Sequence, residues 1–350
     1  MAMMQQQQRS RYIGLDVHRA TIAVAIAEED GPPSSYGNIA NDPSAIRKLM
    51  TRLGGPEVRL RVAYAAGPTG YALHRQLATL DIECMVVAPS LIPVRAGDKV
   101  KTDRRDALKL ARLLRSGDLT SVWVPDQAHE ALRSLVRSRA DAKADELRAK
   151  HRLSKFLLRQ GYHPPVGVRN WSVRHFQWLR QLPFEHVADQ VVFADYLAEV
   201  TAAGERIKRL EAALHQCAGS SSQVALIRAL QGFRGIGFLS AVTIVAEVGD
   251  LRRFRTAPQL MAYAGVVPSE SSSGSKQHRG PITKTGNSLL RHVLGEAAHH
   301  ARHAPRASLA LSNSGRPTCP NQSSTSPGVP NCGCMRAIDT LDHALVHPRR

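Results

Sequence analysis

RYIGLDVHRATIAVAIAEEDGPP, residues 11–33, decides the fold of the N-terminal region. Two short apolar runs, Tyr12–Val17 and Thr21–Ala27, flank polar His18 and Arg19, and a Gly-Pro turn closes the stretch. That pattern predicts a β-hairpin. Outward from it, Ser44–Leu53 reads as a helix, RLRVAYAAG (59–67) as a strand and Gly70–Leu80 as a second helix. IECMVVAP (82–89) is nearly all apolar, as befits a strand covered on both faces. KTDRRDALKLARLLRSGDL (101–119) is amphipathic, with Leu108, Ala111, Leu113 and Leu114 on its inner side. Strands alternating with helices predict a layered α/β domain over residues 11–125.

Past Pro125 the strand signals stop. His129–Gln160 reads as one long helix halted by GYHPP, and Val187–Gln216 as a second, joined by a connection holding Trp171 and Trp178. Residues 126–222 are therefore expected to form a helical hairpin or coiled coil. Its many basic residues fit either a solvated, charge-rich helix pair or an arm that grips nucleic acid. Residues 223–305 read as mainly α with glycine punctuation. There Gly235 and Gly237 separate two apolar helical stretches beside Arg234, Arg252, Arg253 and Arg255. Such a turn can offer N–H groups to a phosphate, or can simply break the helix. Residues 1–10 read as a disordered leader, and 306–350, rich in Ser, Pro, Gly and Asn, as a disordered tail.

The charge balance narrows the partner. Lys and Arg number 47 against 29 Asp and Glu, a net +18. That excess points to a polyanion, and DNA or RNA comes first. No run approaches the ~18 apolar residues of a membrane span, and the N-terminus lacks the apolar core of a secretory signal. Five cysteines without CxxC spacing indicate neither zinc nor a disulfide framework. A reduced, cytoplasmic protein is expected.

Chemistry-bearing residues are few. Asp16 lies within an apolar strand, where a charge is costly unless paired or bound to metal. Asp103 and Asp106 begin a helix on one face, a placement that suits a metal site but also an N-cap and a first-turn acid. Taken together, the three resemble carboxylates gathered from distant segments around Mg²⁺ or Mn²⁺, which wants oxygen ligands and binds substrate phosphates. Lys101, Arg104 and Arg105 flank them. Downstream, GVVPSESSSGSKQHRGPITKTGN (265–287) reads as a Ser- and Gly-rich loop with Lys276, His278, Arg279 and Lys284. It fits a nucleophile among cations or a flexible basic loop on DNA. His299, His300 and His303 share a helix and read as surface histidines more readily than as metal ligands.

At these motifs the chain resembles the DEDD transposases of the insertion-sequence 110 type. The matching stretches are YIGLDVHRATIAVAI (12–26), YAAGPTGY (64–71), VVAPSLIPVRAGDKVKTDRRDALKLARLLRSGDLTSVWVPD (86–126), GFRGIGFLSAVTIVAEVGDLRRF (232–254) and MAYAGVVPSESSSGSKQHRGPITKTGNSLLRHVL (261–294). The resemblance implies an α/β ribonuclease-H-like (RuvC-like) domain, a coiled-coil insertion and a mainly α C-terminal domain. It implies metal bound by three aspartates and a glutamate, and a serine that becomes joined to DNA during strand exchange. Residue by residue, Asp16, Asp103 and Asp106 match the aspartates and Ser273 the serine, with Ser271 and Ser272 within a register slip. The partners implied are insertion-sequence ends and target DNA, a guide RNA in some members, and further copies of the chain, since several DNA ends must be held at once.

Two departures stand out. Ala65 occupies the glutamate's position, and Glu57, at the strand's other end roughly 25 Å away by strand rise, is no substitute. Weak or absent cleavage is therefore expected. The Ser/Pro/Cys-rich tail also replaces the helices the family continues with. Read one nucleotide earlier, with suitable codons, Pro330–Leu341 becomes P-Q-L-R-L-H-A-R-Y-R-H-L, so a frameshift is expected there. Non-catalytic nucleic-acid binding and cleavage by the RuvC-like domain alone are the rival readings.

Overall fold

The computed structural model describes residues 9–55, 57–93, 101–273 and 276–302. Most of the predicted leader and all of the predicted tail, with His303, lie outside these residues. The chain divides into two compact units, Met1–Val124 and Pro125–Arg350.

In the first unit β1 (Arg9–Val17) and β2 (Thr21–Ala27) form the predicted hairpin, and β3 (Ser34–Ala40) extends it. Then come α1 (Pro43–Leu53), β4 (Val58–Ala65), α2 (Ala72–Thr79), β5 (Glu83–Val87) and α3 (Asp103–Ser116). The sheet order is β3-β2-β1-β4-β5. β1, β2 and β3 pair antiparallel, while β4 and β5 run parallel to β1 and to each other. Sequence reading missed β3. SSYGNIA is polar and holds Gly37 at φ 114°, so this edge strand carries none of the apolar alternation that marks β2.

Period-2 alternation assigns the two faces of the sheet. Ile13, Leu15, Ile22, Val24, Val62 and Tyr64 pack with α1 and α2 residues such as Leu49, Met50, Leu73 and Leu77. On the other face β2 offers small residues, Ala23, Ala25 and Ala27, which meet Ala107 and Ala111 of α3, while Ala63 and Val87 meet Leu110, Leu113 and Leu114 of the same helix. Gly14 completes that face. A Cβ there would stand 2.1 Å from the Ala107 carbonyl oxygen and 2.5 Å from the Ala111 nitrogen, so α3 rests on the β1 backbone itself.

The second unit is helical apart from one hairpin. Its elements are α4 (Gln127–Arg159), α5 (Val173–Leu179), α6 (Val187–Gly219), α7 (Val224–Gln231), α8 (Phe238–Val248), α9 (Ala257–Ala264), β6 (Pro268–Ser273), β7 (Lys276–Ile282) and α10 (Ser288–Arg302). The stretch predicted as a loop is thus a β-hairpin, and the tryptophan-bearing connection contains α5. On α6 the buried Phe193, Val200, Ile207 and Leu214 recur every seven residues, the repeat that keeps one seam against a partner helix. The partner is α4, run antiparallel. Arg139 pairs with Glu211, Asp145 with Arg206 and Arg152 with Glu199, each step along α4 matched by a step back along α6. Aromatic residues, among them Phe156, Phe184, Phe193 and Tyr196, close the far end of the pair. No helix among the described residues is long and apolar enough to cross a membrane.

Two outcomes follow from this packing. Gly14→Ala forces a methyl group into backbone atoms of α3, and overpacking of that kind costs about 1–3 kcal/mol. The variant should melt several degrees below the parent chain in differential scanning calorimetry. In the second unit, burial holds the His129 and His175 imidazoles below the ordinary histidine range. The unfolded chain, whose histidines titrate near ~6.5, then binds more protons as pH falls. Stability present above that pH is lost as pH drops through it, levelling off once the folded state protonates too. Denaturant midpoints at pH 7.5 and 5.5 should show this fall, and His129→Gln should reduce it.

Candidate functional site

Asp16 is the next-to-last residue of β1, and its side chain faces α3, the same side as Gly14. Gly14 therefore sets the distance between Asp16 and the start of α3. At that start Thr102, not Asp103, is the N-cap: its hydroxyl oxygen accepts a hydrogen bond from the Arg105 N–H. The capping role sequence reading allowed for Asp103 is thus taken by its neighbour, which leaves the Asp103 carboxylate available. Asp103 Oδ1 lies 3.4 Å from His18 Nε2, and Asp16 Oδ2 lies 3.2 Å from the same nitrogen. Donor atoms of Asp16, His18 and Asp103 all fall within 4.8 Å of one another, an arrangement able to hold a metal ion.

Asp106 lies within electrostatic reach of the same group. Burial pushes the Asp16 carboxyl above the usual range, His18 pulls it back, and Asp106 and Asp103 push it up again by like-charge repulsion. Lys101 approaches Asp106 at 3.9 Å, and exposed Arg104 lies on the turn between the two aspartates. His18 was not singled out from the sequence. Its position two residues past Asp16, where a chain leaving a strand tends to return to the same face, was the available signal.

Ala65 ends β4. The β1–β4 register pairs Leu15 with Tyr64, so Ala65 stands one step on, level with Asp16. A longer side chain at 65 would share the α3 face with the aspartates. Glu57 lies at the opposite end of β4, where its carbonyl accepts from the Arg9 N–H.

In the second unit the serines lie on the β6–β7 hairpin. Ser271 pairs across with His278, Ser273 with Lys276 and Glu270 with Arg279. Lys284 follows β7, exposed and with φ +54°. Gly235 has φ +85°, and a Cβ on it would meet the Ala297 carbonyl oxygen at 2.3 Å. Close packing on α10 therefore accounts for this glycine without a phosphate. Gly237 is the N-cap residue of α8, and Arg234 is exposed beside it. His299 and His300 are exposed on α10.

The basic residues of α4 are largely spoken for. Besides the pairs that bind α6, Lys143 and Lys150 both reach Glu146. Arg137 donates two hydrogen bonds of 2.8 Å to Glu247, a carboxylate only 1% exposed. Asn287 donates to the same carboxylate while its own carbonyl oxygen caps α10 at the Leu290 N–H. His129 Nε2 and Arg133 Nε each donate 2.9 Å hydrogen bonds to the Ala246 carbonyl, satisfying a helix C-terminus that has no backbone partner. One anchor thus ties α4, α8 and the segment after β7 together.

Residues 13–164 match a family profile described as a transposase, of the DEDD insertion-sequence 110 type. Residues 227–311 match a second, described as the transposase IS116/IS110/IS902 family. A protein of Sinorhizobium fredii named as a transposase is 40% identical over 85% of this chain and 73% of its own length. The transposase for insertion sequence element IS1533 of Leptospira borgpetersenii is 34% identical over 70% of this chain and 71% of its own. The transposase for IS1111A of Coxiella burnetii is 42% identical over a shorter stretch, 19% of this chain and 18% of its own.

Arg137→Ala should strip Glu247 of its bidentate partner, leaving Arg133 at 3.9 Å and Asn287. Breaking a buried pair from one side costs about 3–5 kcal/mol. Equilibrium unfolding in urea should show a loss toward the lower end of that range, against near-neutral effects for Arg152→Ala on the exposed arm.

Proposed function

This chain belongs to the IS116/IS110/IS902 family of transposases, and we propose that it catalyses metal-assisted DNA cleavage and strand exchange with Ser273 as nucleophile. The gathering of Asp16, Asp103 and His18 at one corner of the sheet, with Asp106 within electrostatic reach, is the observation that carries the metal half of this reading. The sheet order, three antiparallel strands followed by two parallel ones, supports a ribonuclease-H-like (RuvC-like) first unit.

The donor set fits a divalent cation. Carboxylates suit Mg²⁺ and Mn²⁺ alike, and water can complete the shell where Ala65 offers nothing. The His18 imidazole adds a nitrogen donor, which favours Mn²⁺ over Mg²⁺ in the usual order of affinities. A bound cation would supply charge neutralisation at the phosphate and the leaving oxygen. The chain's own residues do the rest. Asp16 and Asp103 orient the site, Lys101, Arg104 and Arg105 draw in the DNA backbone, and Arg234, Arg279 and Lys284 add phosphate contacts in the second unit.

Ala65 favours a weakened enzyme, and at the limit a DNA-binding protein that no longer cuts. Strand exchange on the element's own ends, run in Mg²⁺ and in Mn²⁺, tests this. The parent chain should be slow, more so in Mg²⁺. Ala65→Glu should raise the rate at least tenfold and Asp16→Asn should abolish it. A parent rate equal to that of Ala65→Glu would remove the case for impairment, and activity surviving Asp16→Asn would remove the metal reading.

A further inference from the structure

Alternation along β6 sorts its serines onto two faces, and the faces differ in charge. Glu270 and Ser272 share one. The Ser272 hydroxyl donates a 2.7 Å hydrogen bond to Glu270 Oε1, and Arg279, directly across from Glu270, approaches its other oxygen at 3.8 Å. This face is occupied by a carboxylate that has already gathered a hydroxyl and a guanidinium. Ser271 and Ser273 share the other face, with His278 opposite the first and Lys276 opposite the second. All four are exposed, and that face of β6 and β7 carries no acid between residues 270 and 279.

We propose that Lys276 is a catalytic residue of the serine step, its ammonium group holding the scissile phosphate against the Ser273 hydroxyl on one face of the β6–β7 hairpin. Directly opposed residues in an antiparallel pair have Cβ atoms about 5 Å apart. A phosphate group fits between a serine hydroxyl and a lysine ammonium at that separation. The rival arrangement is Ser272 with Glu270 as its base. It places the nucleophile beside a negative charge that repels the incoming phosphodiester, a charge that Arg279, 3.8 Å away, offsets only in part. Electrostatics therefore exclude Ser272, and of the two serines on the other face Ser273 is the one that stands opposite the lysine. His278, diagonal to Ser273, extends the cationic face to the neighbouring backbone phosphate.

The step balances as a transesterification. Ser273 Oγ forms a bond to phosphorus, one ester P–O bond of the DNA backbone breaks, Oγ gives its proton to water and the leaving oxygen takes one up. Charge building on the non-bridging oxygens is what Lys276 offsets. The proposal rests on the serine mechanism above, and the test separates the two.

Full-length protein, parent and Ala65→Glu, would be incubated in Mn²⁺ with a nicked duplex of the element's own end, and the DNA-linked peptide mapped by tandem mass spectrometry. The adduct should map to Ser273. Lys276→Ala should slow its formation at saturating DNA about 100-fold, the usual cost of losing one such group, while DNA binding weakens little. Lys276→Arg should restore most of the rate, and Ser272→Ala and Glu270→Gln should leave it unchanged. An adduct on Ser272 would overturn the assignment of faces. Equal rates for the parent and Lys276→Ala would overturn the lysine's role while sparing the serine's. Metal-dependent cleavage with no adduct on any serine, or no reaction even in Ala65→Glu, would overturn the serine reading and this proposal with it.

Discussion

The first unit depends on one backbone-to-backbone approach. α3 lies directly on β1 because Gly14 has no side chain and because the facing residues of β2 are alanines. Close packing of this kind leaves no slack, so the start of α3 is fixed relative to the end of β1. Asp16 is two residues beyond Gly14, and Asp103 and Asp106 lie in the turn before Ala107. Asp103 meets Asp16 because its helix cannot stand further from the strand bearing Asp16, and Asp106 is held within electrostatic reach. A mutation on the alanine face therefore reaches the site without touching any residue in it.

Much of this was legible in sequence. The hairpin was, because two short apolar runs flank His18 and Arg19, whereas the close seat of α3 on the alanines of β2 was not read from it. The long helices were legible because strand signals stop past Pro125 and GYHPP halts the first of them. Other elements carried no such signal. β3 is a polar edge strand, α5 is a short aromatic helix of about two turns, and β6–β7 is made of Ser, Gly and charged residues that resemble a loop by composition. A hairpin of that composition is specified by what its ends are anchored to, here Glu247 through Asn287. The Glu247–Asn287 link joins residues forty apart and is invisible in a local window.

The site shows the same division. Three aspartates were apparent because strand and helix phases are local properties. The roles of Thr102 as cap and of His18 as neighbour were not, since both turn on hydrogen bonds between side chains whose directions spacing alone does not set. The basic stretches of α4 show what composition alone leaves open. Composition counts cations, whereas their partners on α6 lie some 47 to 72 residues away. Much of the local positive charge on α4 is already answered within the fold.

The α4–α6 pair carries a further consequence in its arithmetic. Its apolar seam returns every seven residues, and its ion pairs hold a constant antiparallel register along the arm. An insertion of one residue in either helix would rotate every later side chain by about 100°, turning the seam away from its partner and parting the ion pairs beyond it. Seven residues added to both helices would restore all of it. Whole heptads shared by both helices are thus the length changes that keep the seam and the ion pairs in place together, so that reach, in such a design, is a quantity most readily changed in steps.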